Sequence, residues 1–129
     1  MYSQYGYIDV MTSHRRSVDE MLPLPLATFH ILMALAEGDR HGYAIIQEVS
    51  ARTGGELELS AGTLYRSIHR MLGQRLITEA RKRVSVQDDP RRRYYRLTPF
   101  GRDVARAESL RLEKLVELAR SSGLAPENA

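Results

Sequence analysis

The stretch SAGTLYRSIHRMLGQRLI, Ser60 to Ile77, decides how the chain is read. At about 100° per residue, Leu64, Ile68, Met71 and Leu72 fall on one helical stripe, with Ala61 beside them. The far side holds Gly62, Thr63, Arg66, His69 and Arg70, with Tyr65 and Ser67 on the flanks. No carboxylate occurs from end to end. Ser60 is a good N-cap, so first-turn N–H groups can also face an anion. A helix entering the DNA major groove needs these features. The apolar stripe anchors it, and Gly62 removes a side chain where a sugar-phosphate backbone approaches. Arg66 and Arg70 can reach guanine O6/N7 or phosphate, and Thr63 can bond a base edge or touch a thymine methyl. An ordinary amphipathic surface helix fits the same stripe, so the flanking sequence has to separate the two.

Downstream, RLITEARKRVSV reads as a strand, QDDPRRR as a turn around Pro90 and RRYYRL as a second strand, the two strands forming a hairpin. Alternation puts Arg93, Tyr95 and Leu97 on one face and Arg92, Tyr94 and Arg96 on the other. Three adjacent arginines, Arg91 to Arg93, repel one another, which makes phosphate contact their natural role. Helix and hairpin together define a winged helix-turn-helix, mainly α with a small β-hairpin. DNA contact is expected from Ser60, Gly62, Thr63, Tyr65, Arg66, Ser67 and Arg70 on the helix, and from Arg91, Arg92, Arg93 and Tyr94 in the wing.

Upstream, LATFHILMALAEG is an apolar helix carrying Phe29, Leu32, Met33, Leu35 and Ala36, ended by Gly38. DRHGYAIIQEVSARTGG is a second helix, with Tyr43, Ile46 and Val49 at helical spacing, Ile45 flanking and Gly54–Gly55 as the stop. GELELS alternates briefly, Leu57 and Leu59 facing one way, and reads as a very short strand. Residues 1–23 form an N-terminal tail or short extra helix, with Tyr2, Tyr5, Tyr7, Arg15 and Arg16, and SVDEML as a turn capped by Ser17. The DNA-binding domain is assigned to residues 24–97 and a C-terminal dimerisation helix to residues 98–121. That helix opens with Thr98 as N-cap and Pro99 at its first position, and residues 122–129 form a flexible tail. In the helix, Ala105, Leu112, Leu115, Val116 and Ala119 make one stripe, while Ala107, Leu110 and Leu118 fall on another side. A monomer needs to bury only one of these stripes, so the other calls for a homodimer partner.

Composition agrees with this reading. The chain has 129 residues, 43% hydrophobic and 27% charged, which suits one folded domain. Net charge is +3, but ten Lys/Arg against three acids between Ser60 and Arg96 give that segment +7 and leave −4 for the rest. A basic patch on a slightly acidic body is the footprint of a polyanion binder. The absence of cysteine excludes disulfides, Cys-based zinc sites and a thiol nucleophile. There is no apolar run long enough to span a bilayer and no signal-peptide layout, which points to the cytoplasm. His14, His30, His41 and His69 are scattered without metal-ligand spacing, and no glycine-rich phosphate loop appears, so neither an enzyme nor a cofactor is expected. His30 reads as a core or interface histidine, and His41 as structural. The competing function is a winged-helix module whose basic patch meets an acidic protein partner, with the tail tyrosines supplying contact area.

Three motifs, in order, resemble the PadR-like transcriptional regulators. HGYAIIQEV resembles the family's HGY segment, SAGTLYRSIHRMLGQRLI its S-x-G-T-L-Y helix, and RRRYYRLTPFGR its basic wing followed by Y-Y-x-L-T-x-x-G. The resemblance covers about Leu24 to Leu118. Two positions depart from the pattern. Arg66 stands where the family commonly has proline, and Arg75 stands where it has glycine. The resemblance implies a homodimeric repressor reading a pseudo-palindrome in double-stranded DNA, joined through a single C-terminal helix. It also leaves open a small aromatic effector of unknown identity, because some relatives respond to phenolic or planar aromatic compounds. Phe29, Tyr43 and the tail tyrosines are the residues that would line its cavity.

Overall fold

A computed structural model describes residues 13–81 and 91–127. Tyr2, Tyr5 and Tyr7, the later part of the first hairpin strand and the turn at Pro90 lie outside the described residues. The chain divides into two compact units. One is Leu24–Arg102; the other joins Met1–Pro23 to Asp103–Ala129. The first turn of the last helix thus belongs with the residues that precede it. The element order is α1 (13–20), α2 (Leu26–Leu35), β1 (Arg40–His41), α3 (Gly42–Arg52), α4 (Ala61–Gly73), β2 (Ile77–Ala80), β3 (Tyr94–Leu97) and α5 (Pro99–Ser121). The fold is mainly helical with a small antiparallel sheet, as expected.

Within Leu24–Arg102, α2, α3 and α4 pack on the sheet. α2 starts after Pro25, whose fixed φ suits a helix entry. The carbonyls left over at its end are taken by arginines: Arg40 Nε donates to Ala34 O at 2.8 Å and Arg102 Nη2 to Ala36 O at 3.3 Å. Ile31, Leu32, Ala34 and Leu35 of α2 meet Ile45 and Val49 of α3 and Leu64, Ile68 and Met71 of α4 in the core. Leu76, Ile77 and Leu97 close it from the sheet. Phe29 and Met33 are half-buried and Ala36 is exposed, so the buried face of α2 runs through Thr28 and Ile31 rather than through Phe29.

The sheet order is β1–β3–β2, with Ile77 opposite Leu97, Ala80 opposite Tyr94 and His41 also opposite Tyr94. The β2–β3 hairpin is the one read from sequence. β1 is an addition, an edge strand of two residues that exists because β3 offers it a partner. The strand expected at Leu57 and Leu59 is absent: residues 57–60 have no regular structure, and the Leu57 N–H goes to Thr53 Oγ1 at 3.0 Å instead of to a ladder. α1 also differs from expectation. Residues 13–20 are helical, so Ser17 lies inside the helix and does not cap it.

Candidate nucleic-acid interface

α4 forms as its sequence dictates. Ser60 Oγ accepts from the Thr63 amide at 3.1 Å, capping the helix. Leu64, Ile68 and Met71 are fully buried, while Gly62, Tyr65, Arg66, His69 and Arg70 are exposed and Thr63 and Ser67 half-buried. Ala61 is exposed and Leu72 half-buried, so the buried stripe is narrower than the sequence reading made it.

α3 reaches this face through its N-terminus. His41 Nδ1 accepts from the Ala44 amide at 3.1 Å and caps α3. Gly42 follows in a tight spot. A Cβ there would stand 2.5 Å from Tyr65 Oη, so the first turn of α3 lies against the flank of α4. The contact turns α3 so that Ile45 and Val49 point inward, and Tyr43 is left 60% exposed. The buried stripe therefore runs through Ile45 and Val49, not through the expected Tyr43, Ile46 and Val49, and Ile46 is half-buried.

The wing approaches from the other side. Arg91, Arg92 and Arg93 are exposed, and Arg93 Nη1 sits 3.8 Å from Glu79. Arg96 does not join them, because its guanidinium donates twice to Asp39, at 3.1 and 2.8 Å. Burial along β3 does not alternate: Tyr94 and Tyr95 are both buried, then Arg96 is exposed and Leu97 buried. Tyr94, expected at DNA, is 8% exposed and packs edge-on against the His41 ring at 5.4 Å. Burial pushes the Tyr95 phenol above its ordinary value, with smaller contributions from Tyr65 and Glu79.

Tyr43, Tyr65 and Arg91 to Arg93 line a cavity of about 310 Å³ together with His41, Gly42 and Tyr95. A neutral imidazole accepts at one nitrogen only. With Nδ1 accepting from Ala44, Nε2 carries the proton and faces the wing, 3.2 Å from Arg92 Nη1. Sequence reasoning missed Tyr43 and His41 as members of this face. The pairing of His41 with Tyr94 across strands of distant sequence brings them there. His30 is half-buried on α2.

In the other unit, residues 103–121 of α5 carry the predicted dimerisation stripe. Leu112, Leu115 and Val116 are exposed, and so are Leu110 and Leu118 of the second stripe. Ala105, Ala107 and Ala119 are half-buried, while Val104 and Glu108 are buried. The expectation that the protomer itself buries one stripe does not hold for this part of the helix, because the leucines of both stand uncovered. The residues named for an effector are dispersed: Tyr43 lies by the wing and Phe29 on α2. Among the described residues no helix is long and apolar enough to cross a membrane, and no group of three His, Asp or Glu could hold a metal.

The chain matches the model of the transcriptional regulator PadR-like family over residues 31–107. It is similar to an uncharacterised protein of Lysinibacillus sphaericus, 38% identical over 72 residues, 56% of this chain and 64% of that protein. The match therefore spans less than two thirds of that relative's length. A transcriptional regulator of Mycobacterium tuberculosis is 37% identical over 86 residues, 67% of this chain and 75% of that one. A crystal structure of a PadR family transcription regulator from Clostridium difficile superposes with a TM-score of 0.61 at 26% identity, covering 73% of this chain and 94% of that chain. Motifs, fold and family match agree: the chain belongs to the PadR-like family, a family of transcriptional regulators and not of enzymes.

Proposed function

We propose that the chain is a homodimeric repressor that binds double-stranded DNA and reads a pseudo-palindromic operator. The observation that carries this reading is the cavity lined jointly by Tyr65 of α4 and the three wing arginines, next to a helix face on which Arg66 and Arg70 are exposed. Here α4 enters the major groove. Arg66 and Arg70 face base edges or phosphate, and Arg91 to Arg93 meet the flanking backbone. Tyr94 supports the wing from beneath and touches no base. The uncovered leucines of α5 supply the dimer contact, and a twofold dimer sets two α4 helices about 34 Å apart along the duplex.

Selection of bound duplexes from a random pool, at about 0.15 M salt where exposed charges are already screened, tests the reading. An inverted repeat is the expected outcome. Affinity for it should fall with salt by about 0.9 log units per log unit of salt for each phosphate contacted. Placed over a promoter, the repeat should lower transcription when the protein is added. Retention of no common sequence would overturn the operator reading and favour an acidic protein partner.

A further inference from the structure

The exposed turn of α4 has an internal hydrogen-bond chain that fixes what it can offer a base. Ser60 Oγ accepts from the Thr63 amide and gives its own proton to Thr63 Oγ1, each at 3.1 Å. Arg66 Nη2 donates to the same Thr63 oxygen at 3.3 Å. A hydroxyl oxygen has two lone pairs and one proton. With both lone pairs taken, Thr63 has only its proton left to offer. Arg66 has donors alone. Nη2 spends one of its two protons on Thr63, which leaves one there and two on Nη1. The guanidinium lies back over the first turn, its Nη1 3.4 Å from where a Cβ on Gly62 would stand. Arg70, one turn along the same face, has no such tether among the described residues.

We infer that Arg66 selects guanine and that Thr63 is its positioning residue, the pair presenting donors only; the inference rests on the DNA-binding reading above. Guanine is the base whose major-groove edge shows two neighbouring acceptors, N7 and O6. One proton from Nη1 and one from Nη2 meet them end-on, so the tether to Thr63 costs no base contact. Adenine sets its N6 amino group against one of these donors, and cytosine sets its N4 amino group there. A threonine with a lone pair to spare could turn and accept from either amine. The proton of Ser60 and the guanidinium of Arg66 remove that option. Holding Arg66 over the first turn also limits the conformations a long side chain loses on binding.

The test compares base preferences, position by position, in duplexes selected by the wild-type chain, Arg66→Ala, Thr63→Val and Thr63→Ser, each checked for helix content. The wild type should require guanine at one position of each repeat. Arg66→Ala should lower that preference by about five-fold or more, the low end of a bidentate contact, and leave the other positions alone. Thr63→Val, which unties Arg66 from the first turn, should weaken the guanine preference at the same position, and Thr63→Ser, which keeps the hydroxyl, should restore it. Loss of affinity on all sequences alike in Arg66→Ala would make Arg66 a phosphate contact and overturn the inference. An unchanged preference in Thr63→Val would overturn the positioning role. If the wild type itself selects nothing, the DNA-binding reading fails and takes the inference with it.

Discussion

Arg75 shows what one backbone angle costs. Three helices end in the same way. At each C-terminus the residue just past the cap is left-handed and two amides turn back onto the last carbonyls. After α3 it is Gly54 at φ +61°, with Gly55 N–H on Ser50 O; after α5 it is Gly123 at φ +75°, with Leu124 N–H on Ala119 O. After α4 it is Arg75 at φ +61°, with Leu76 N–H on Met71 O. A side chain in that region costs about 1–2 kcal/mol, against which glycine loses about 0.5–1 kcal/mol more chain entropy on folding. Arg75→Gly is therefore expected to stabilise the protein by up to about 1 kcal/mol, seen as a rise in Tm. A lower Tm would mean that the arginine side chain contributes more than its backbone costs.

At the scale of elements, the junction of β2 with α5 leaves no room for a side chain at Gly101. Thr98 Oγ1 accepts from the Gly101 amide at 2.9 Å and lies 2.7 Å from Arg75 O and 3.0 Å from Leu76 O, one of which takes its proton. The capping hydroxyl thus joins the start of α5 to the strand entry. Gly101 faces the same strand. A Cβ there would stand 2.0 Å from Leu76 O, a backbone atom that no rotamer change can move. Gly101→Ala should destabilise by about 1–3 kcal/mol, the usual cost of overpacking. Gly73→Ala is the matched control: nothing lies within 4 Å of its added carbon, so its Tm should hold or rise. Equal behaviour of the two in thermal denaturation would refute the account of this junction.

At the scale of the whole molecule, the exposed apolar side chains of α5 call for cover. Leu115 is 48% exposed and Leu118 65%, on a helix that also exposes Leu110, Leu112 and Val116. Leu115→Glu is expected to convert a dimer into a folded monomer in sedimentation measurements. It should also remove binding to a two-repeat duplex far more than to a single repeat. A variant that still sediments as a dimer would place the interface elsewhere.

Much of this was legible in the chain because it is local. Ser60 and Thr98 cap their helices, Gly54 and Gly123 end theirs, and the period of Leu64, Ile68 and Met71 fixes which face of α4 turns outward. Those signals act over one or two turns, where a side chain meets its own backbone. Other features depend on partners far away in sequence. Arg40 and His41 carry no alternation and become a strand only because β3 has an edge to fill. Leu57 and Leu59 alternate but find no strand beside them. In GYAIIQEV the apolar residues run nearly all the way round, so periodicity alone leaves the rotation of α3 open. The sequence by itself determined the helix-and-wing architecture and the cationic face of α4. Only the tertiary structure decided that Tyr43 faces out and Tyr94 in, because the contact of Gly42 with Tyr65 and the pairing of His41 with Tyr94 join residues that are neighbours only in the folded chain.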